Sequence, residues 1–409
     1  MGVMRYDAIV VGAGPAGSTA ARTLAREGAS VLLLDRARFP RDKPCGGGVT
    51  VRAASCQDID LAPVVERTIT GARFSLRLGS AFDRRYDEPL TYMTQRSRLD
   101  AHLVEAAVGA GAAFQDGESV RSVEVAASPD GLGGGSGSSL AGAVTVRTDG
   151  GSYTARALIG ADGANGVVGR ATGTRPLSEE AVALEGKVSY PNGVPADWQD
   201  FIGLDFGWLA GGYGWVFPKG DHLNVGVGAW KYAAFTLRPK LAEFCYRYGF
   251  DAGALENLRG HHLPVRVPGS RIARGPVAVV GDAAGLIDPL TGEGIHMAFM
   301  SGRMAARASL RLLAGEADDL SLYQRDVDRR IQPELTVSRK LQELLQFAPP
   351  PYMAVMRRSG KFWHLFCHLI RGELTYLDFL RMIGPLRLAV DVFAAIAQRR
   401  RLSRLTAAR

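Results

Sequence analysis

The 409-residue sequence is short of cysteine, of long apolar runs and of acidic residues. Each shortage removes a class of function. Cys45, Cys56, Cys245 and Cys367 are scattered and form no CxxC pair or zinc-type spacing, which excludes a disulfide framework, a cysteine-rich metal centre and an iron–sulfur domain. A reducing, cytoplasmic setting is expected. No run of about 18 uncharged apolar residues is present, so no membrane span is expected. The first strand pattern begins at Tyr6, and on that ground no signal peptide is expected. Acidic residues number 41 against 49 Lys and Arg, a formal charge of +8. That excess favours diphosphates or an acidic membrane face as partners, and without a recognition motif beside it nucleic acid is not expected. The 46% apolar content is ample for a core, and the length suggests two packed domains with an appendage.

The apolar run Tyr6 to Val11 leads into Gly12-Ala-Gly14-Pro-Ala16-Gly17, then an Ala-rich helix over 18–27 and a buried strand over 30–34 that closes on Asp35. This pattern predicts a βαβ unit. Gly12 permits the tight turn, Gly14 lets the backbone approach a pyrophosphate, and Gly17 allows close helix packing. The helix N-terminus faces the phosphates, and Asp35, followed by Arg36, accepts ribose hydroxyls. A dinucleotide is therefore expected, but FAD and NAD remain open at this point. A second helix is expected over 97–110, with Leu99 and Leu103 on one side. The stretch 130–142 is low-complexity and reads as a hairpin tip between two alternating strands. Residues 182–230 alternate and are rich in aromatics, which predicts a β-rich second domain. A buried strand over 276–280, a Gly-rich loop and a helix over 295–313 follow, and beyond Ile331 the chain reads as helical.

Two further segments place an aspartate just past a buried strand: Ala157-Leu-Ile-Gly-Ala-Asp162-Gly163, and Val280-Gly281-Asp282 continuing to Asp288-Pro289-Leu-Thr-Gly292-Glu-Gly294-Ile295. With the first glycine fingerprint, these resemble the three ordered signatures of flavoproteins of the p-hydroxybenzoate hydroxylase fold. The resemblance implies a non-covalent FAD, with Asp282 at the ribityl chain and Arg96 reaching the phosphate and ribityl region. Gly292 and Gly294 free the loop backbone to lie against a flat ring, and the helix from Ile295 points its positive end at it. Lys43-Pro-Cys45-Gly46-Gly47-Gly48, together with Tyr213-Gly-Trp215-Val-Phe217-Pro218 and Gly226-Val-Gly228, resembles the geranylgeranyl reductase family. That resemblance covers roughly 5–310.

The expected architecture is an α/β fold: a Rossmann-like FAD-binding domain over 1–75, 95–180 and 265–330, an inserted antiparallel β-sheet substrate domain over 76–94 and 181–264, and a helical C-terminal region over 331–409. The resemblance implies hydride transfer from reduced flavin to double bonds of a polyprenyl lipid or quinone tail, with NADPH, NADH or reduced ferredoxin as electron donor. A flavin monooxygenase or halogenase acting on an aromatic or polyketide substrate is the alternative. Tyr213, Trp215 and Phe217 alternate at period two, so in a strand they form one wall suited to an apolar chain. Gly226 and Gly228 would leave a slot beside it. Cys45 and Tyr213 are candidate proton donors, and an ordered water is a third. His296 reads either as a flavin neighbour or as an exposed helix-end residue. His364, Cys367 and His368 lack further convergent ligands and are not expected to bind metal. The C-terminal helices, ending in Arg399, Arg400, Arg401 and Arg404, are candidates for peripheral contact with the cytoplasmic membrane face.

Overall fold

The computed structural model describes residues 4–126 and 144–407. Its first sheet carries parallel strands in the spatial order Val277–Val279, Ser152–Gly160, Met4–Val11, Val31–Leu34 and Ala113–Gln115. Strands covered on both faces read as unbroken apolar runs. Ile9, Val10, Leu32, Leu33, Leu34, Leu158 and Ile159 are accordingly fully buried, each contributing about 1.5–3 kcal/mol of burial free energy. The helices Pro15–Arg26 and Ile295–Leu313 pack on each other beside this sheet, where Gly302 approaches Ala16 so closely that a Cβ would sit 2.3 Å from its carbonyl oxygen. The strands Val120–Val125 and Val144–Thr148 pair antiparallel, while the expected hairpin tip at 130–142 lies outside the described residues.

A second sheet of seven strands runs Glu256–Arg266, Ser178–Ser189, His222–Trp230, Tyr213–Pro218, Phe201–Phe206, Gly71–Leu76 and Phe82–Arg85. Neighbours are antiparallel except for the parallel pair Phe201–Phe206 and Gly71–Leu76. One face is closed by the helix Leu237–Arg247, whose Phe244 ring lies over Gly214 and shares a core with Val216, Val225 and Val227. The opposite face looks into a large cavity. A small three-stranded sheet, Gly48–Thr50, Thr91–Met93 and Arg67–Ile69, joins the two larger ones.

Helices occupy most of the chain after Ile295, and no helix among the described residues is long and apolar enough to cross a membrane. They return to the second sheet. From the helix Gln332–Phe347, Gln342 donates to Gly211 O at 3.0 Å and Gln346 to Gly212 O at 3.1 Å, tying down the turn before the aromatic strand. From the helix Gly360–Arg371, Trp363 donates to Arg85 O at 2.8 Å and meets Phe74 edge to face.

Candidate active site

The three motif segments and the seven-stranded sheet converge on one cavity of about 880 Å³, a volume at the upper end of the usual range for small-molecule sites. Its wall includes Ala16, Arg36, Gly281, Pro289, Gly292, Gly294 and Ile295, and of the residues expected to hold the cofactor or the prenyl chain it leaves out Gly17 and Gly226. Those two lie behind it for packing reasons. A Cβ on Gly17 would stand 1.8 Å from Gly12 O, so glycine lets the helix meet the strand turn; Gly12 itself has φ +100°. A Cβ on Gly226 would stand 2.1 Å from the Trp215 indole, so the expected slot there is filled by Trp215 itself. Gly228 remains open to the cavity.

At one end the helix Pro15–Arg26 begins at Gly14 without a side-chain cap, leaving first-turn N–H groups and the positive dipole end for a ligand. Asp35 Oδ2 accepts from Ala13 N at 2.8 Å and Oδ1 from Ala37 N at 2.9 Å, which holds the carboxylate at the strand end. Opposite Gly14 stand two guanidiniums, Arg41 and Arg96, each 3.6 Å from where a Cβ of Gly14 would be. Both lean on Asp100. Arg96 grips it in a bidentate pair at 2.7 and 2.8 Å, and Arg41 Nη1 lies 2.9 Å from Oδ2 without the alignment of a hydrogen bond. Arg41 Nη2 also lies 3.8 Å from Asp35 Oδ2, so the two guanidiniums are balanced by two carboxylates, yet both face Gly14 beside a free helix N-terminus, which suits a pyrophosphate. Arg41 and Asp100 were not singled out from the sequence; Arg41 sits in a loop without a motif, and Asp100 is visible only as the i+4 partner of Arg96.

Asp282 is met by Lys43 at 3.1 Å and His261 at 3.4 Å. Burial opposes its ionisation, yet those neighbours hold the carboxyl far below the usual range. Asp162 caps the short helix Val168–Thr172 through Oδ2, which accepts from Val167 and Val168 N, while burial raises its proton affinity and its Oδ1 has no hydrogen-bond partner. These features fit FAD: an anion cradle at Gly14, an acid at the ribose position, a carboxylate at Asp282, and a glycine loop from Asp288 to Gly294 whose turn is fixed by Asp288 Oδ1 accepting from Leu290 and Thr291 N.

The other end of the cavity is apolar. Tyr213, Trp215 and Phe217 all face it, and their rings touch in sequence at 6.1 and 6.2 Å between centroids. Trp215 Nε1 donates to Asn224 Oδ1 at 2.7 Å. The Tyr213 hydroxyl donates to Thr291 O in the glycine loop, and burial pushes the phenol well above its usual range. The wall is completed by Tyr352, Met353, Met356, Trp363 and Phe366 from two C-terminal helices. That contribution is not legible in the sequence, because an apolar helix face that lines a cavity looks the same as one that packs on a core.

Between the two ends passes the Cys45 loop. Cys45 N donates to Glu185 Oε1 at 2.6 Å, Gly47 N approaches Cys45 Sγ at 3.4 Å, and a Cβ on Gly46 would strike the Phe217 ring at 2.7 Å. Behind the loop, Lys219 is buried and donates to Gly46 O at 2.6 Å; burial brings its ammonium down to about 8. His296 is neither on the cavity wall nor exposed: it is buried, 3.4 Å from Cys56 Sγ. His368 pairs with Glu373, His364 stands edge-on to Tyr86, and Cys367 is in the core.

The comparisons agree with this geometry. Residues 5–194 match a sequence family described as FAD binding domain. The chloroplastic geranylgeranyl diphosphate reductase of Oryza sativa subsp. japonica is 31% identical over 83% of this chain and 75% of its own length. The menaquinone reductase of Mycolicibacterium smegmatis is 32% identical over 83% of this chain and 85% of its own. A geranylgeranyl bacteriochlorophyll reductase-like protein from Thermoplasma acidophilum superposes with a TM-score of 0.71 at 24% identity, over 85% of this chain and 89% of that one, and shares the fold. With its dinucleotide cradle, glycine loop and Cys45 segment in one cavity, the chain belongs to the geranylgeranyl reductase family of FAD-dependent oxidoreductases.

Proposed function

We propose that the protein saturates carbon–carbon double bonds of a polyprenyl chain, carried by a geranylgeranyl-type lipid, a quinone tail or a related isoprenoid. The observation that carries this reading is the cavity itself, charged at the Gly14 end and walled at the other by three aromatic rings in edge and tilted contact and by two apolar helices. The relatives named as geranylgeranyl diphosphate and menaquinone reductases support it. Bound FAD, once reduced by NADPH, NADH or reduced ferredoxin, supplies the hydride. The chain's residues do the rest. Gly12, Gly14, Asp35, Arg41 and Arg96 hold the dinucleotide, with Asp282 and Asp162 along it. Gly292 and Gly294 shape the loop that would face the flavin, and Tyr213 fastens that loop through Thr291. Trp215, Phe217 and Gly228 align the prenyl chain, and the apolar wall disfavours water around it.

Access for a lipid is proposed at the C-terminal helices. The helix Arg387–Ala407 exposes Leu388, Val392, Phe393 and Ile396 on one side, with Arg387 and Arg399 nearby, a composition suited to lying on an anionic cytoplasmic membrane face. Anaerobic reduction of the FAD-loaded protein, exposure to prenyl substrates and mass spectrometry of the products test the reading. Two mass units gained per double bond are expected from hydrogenation; gain of oxygen instead points to a monooxygenase.

A further inference from the structure

Hydrogenating an isolated double bond adds a hydride to one carbon and a proton to the other, so on the reading above the aromatic end of the cavity has to present an acid. The Tyr213 hydroxyl is committed to Thr291 O, and its burial strengthens its hold on the proton. Glu185 stands differently. The strand Ser178–Ser189 turns Ala181, Ala183 and Glu185 toward the cavity at period two, so a carboxyl interrupts a row of small apolar side chains. Glu185 is in register with Gly226, which is in turn in register with Trp215. The absent side chain at Gly226 thus leaves the carboxyl and the indole as neighbours along one row.

Glu185 is 8% exposed, and its near partners are neutral donors, the Cys45 amide at 2.6 Å and the Asn224 side chain, with Lys219 a more distant charge. Burial therefore dominates and raises the carboxyl's proton affinity. Glu185 also borders a second, small polar cavity on the far side of the Cys45 loop, shared with Asp42, Lys187, Lys219, His222 and Arg259. Asp42 there is 40% exposed and lies 3.9 Å from Lys187 and 3.7 Å from Arg259, so this cavity reaches the surface. One carboxyl thus touches both the apolar cavity and a solvated one.

We propose that Glu185 is the proton donor to the prenyl double bond, recharged from solvent through the small cavity. In the step the alkene π bond breaks. A hydride from the reduced cofactor forms a C–H bond at one carbon, and the Glu185 O–H proton forms one at the other. Glu185 is left as a carboxylate, and a solvent proton entering past Asp42 and Lys187 restores it.

The test uses FAD-loaded Glu185→Gln, in which the amide oxygen can still accept from Cys45 N–H, with geranylgeranyl diphosphate and a prenylated quinone as probes. Expected are unchanged FAD content, unchanged reduction of the flavin by dithionite, and reoxidation by alkene slowed by about 10²–10⁴, the range for loss of a general acid. Glu185→Asp, which keeps an acid, should fall between the two. Infrared spectroscopy of ¹³C-glutamate-labelled protein should show a protonated glutamate at neutral pH that Glu185→Gln lacks. Wild-type alkene reduction by Glu185→Gln overturns the proposal and leaves the reductase reading standing. Absence of any protonated glutamate in the wild type overturns it without recourse to a variant. A wild-type protein that hydrogenates no prenyl probe removes the reading and this role together.

Discussion

The two ends of the cavity are built by different means. At the Gly14 end the wall is backbone and paired charge: free helix N–H groups, an aspartate held by two amides, and two guanidiniums sharing Asp100. At the aromatic end it is side-chain surface from many separate stretches, among them the strands Tyr213–Pro218, Ser178–Ser189 and Phe201–Phe206 and the helices Pro349–Arg358 and Gly360–Arg371. A charged end tolerates few substitutions, since removing one partner strands the other in low dielectric. An apolar end can trade side chains of similar volume at little cost.

Asp100→Ala should give the largest break in that contrast. It leaves Arg96 and Arg41 without their shared counter-ion, and about 3–5 kcal/mol of stability should be lost, the usual cost of breaking a buried pair. Denaturant unfolding of the FAD-saturated protein measures it, and a loss below about 1 kcal/mol would show that the carboxylate is dispensable.

Acid should act next, again where ionisable groups are buried. Burial, and secondarily the charge of Arg52, brings His296 down to about 3. The unfolded chain takes up the proton near pH 6.5, so the unfolded state binds more protons as pH falls. This contribution to stability is complete above about pH 6.5 and is lost progressively toward about pH 3, on the order of a few kcal/mol. His296→Gln should flatten the pH dependence of unfolding across that window; an unchanged slope would place the acid sensitivity elsewhere.

Asp35→Ala should weaken FAD binding by about 1.5–3 kcal/mol, roughly 10- to 100-fold. The structure adds a reason, because the same carboxylate fixes Ala13 and Ala37 N in the turn. Fluorescence titration of stripped protein with FAD measures the change, and unaltered affinity would remove Asp35 from the cofactor site.

At the apolar end Trp215→Ala is a blunt probe. It empties the space over Gly226 and leaves Asn224 without its donor, so about 3–5 kcal/mol of stability should go with it. Phe366→Ala is cleaner. Half-buried on the cavity wall, it should cost little stability and raise KM for long prenyl substrates more than for short ones. Equal effects at all lengths would mean that the chain does not reach the C-terminal helices.

The same contrast governs what was legible in the sequence. Gly12, Gly14, Gly17 and Asp35 announce a nucleotide turn because backbone approach demands those residues at fixed spacing, and the strand–helix–strand pattern around them is local. Tyr213, Trp215 and Phe217 share one face because strands have period two. What stayed hidden was made by distance along the chain: Arg41 meeting Asp100, Glu185 reaching Cys45, and Trp363 closing a cavity whose first residues lie some 350 positions earlier. The misread slot at Gly226 has a similar origin, since pattern alone does not say which neighbour fills the space a glycine leaves.

Cys45→Ser should give the smallest effect and the sharpest decision about the loop between the two ends. The loop is tied by the Cys45 amide to Glu185 and by the Gly46 carbonyl to Lys219, and neither bond involves sulfur. Sulfur itself accepts from Gly47 N at 3.4 Å and interacts with the Arg96 guanidinium, contacts a serine hydroxyl can replace. Serine keeps the backbone bonds and nearly the same volume, so FAD content and the rate of flavin reduction should match wild type. Alkene-driven reoxidation should slow by about tenfold or less, a barrier change of about 1.4 kcal/mol, because only the polarity beside the prenyl chain has changed. Rapid-reaction absorbance separates the halves, following bleaching as the flavin is reduced and its recovery when substrate is added. A loss of a thousandfold or more in the second half alone would make the thiol the proton donor. Glu185 would then be a scaffold for the Cys45 amide, and the charged chemistry of this cavity would end at the cofactor.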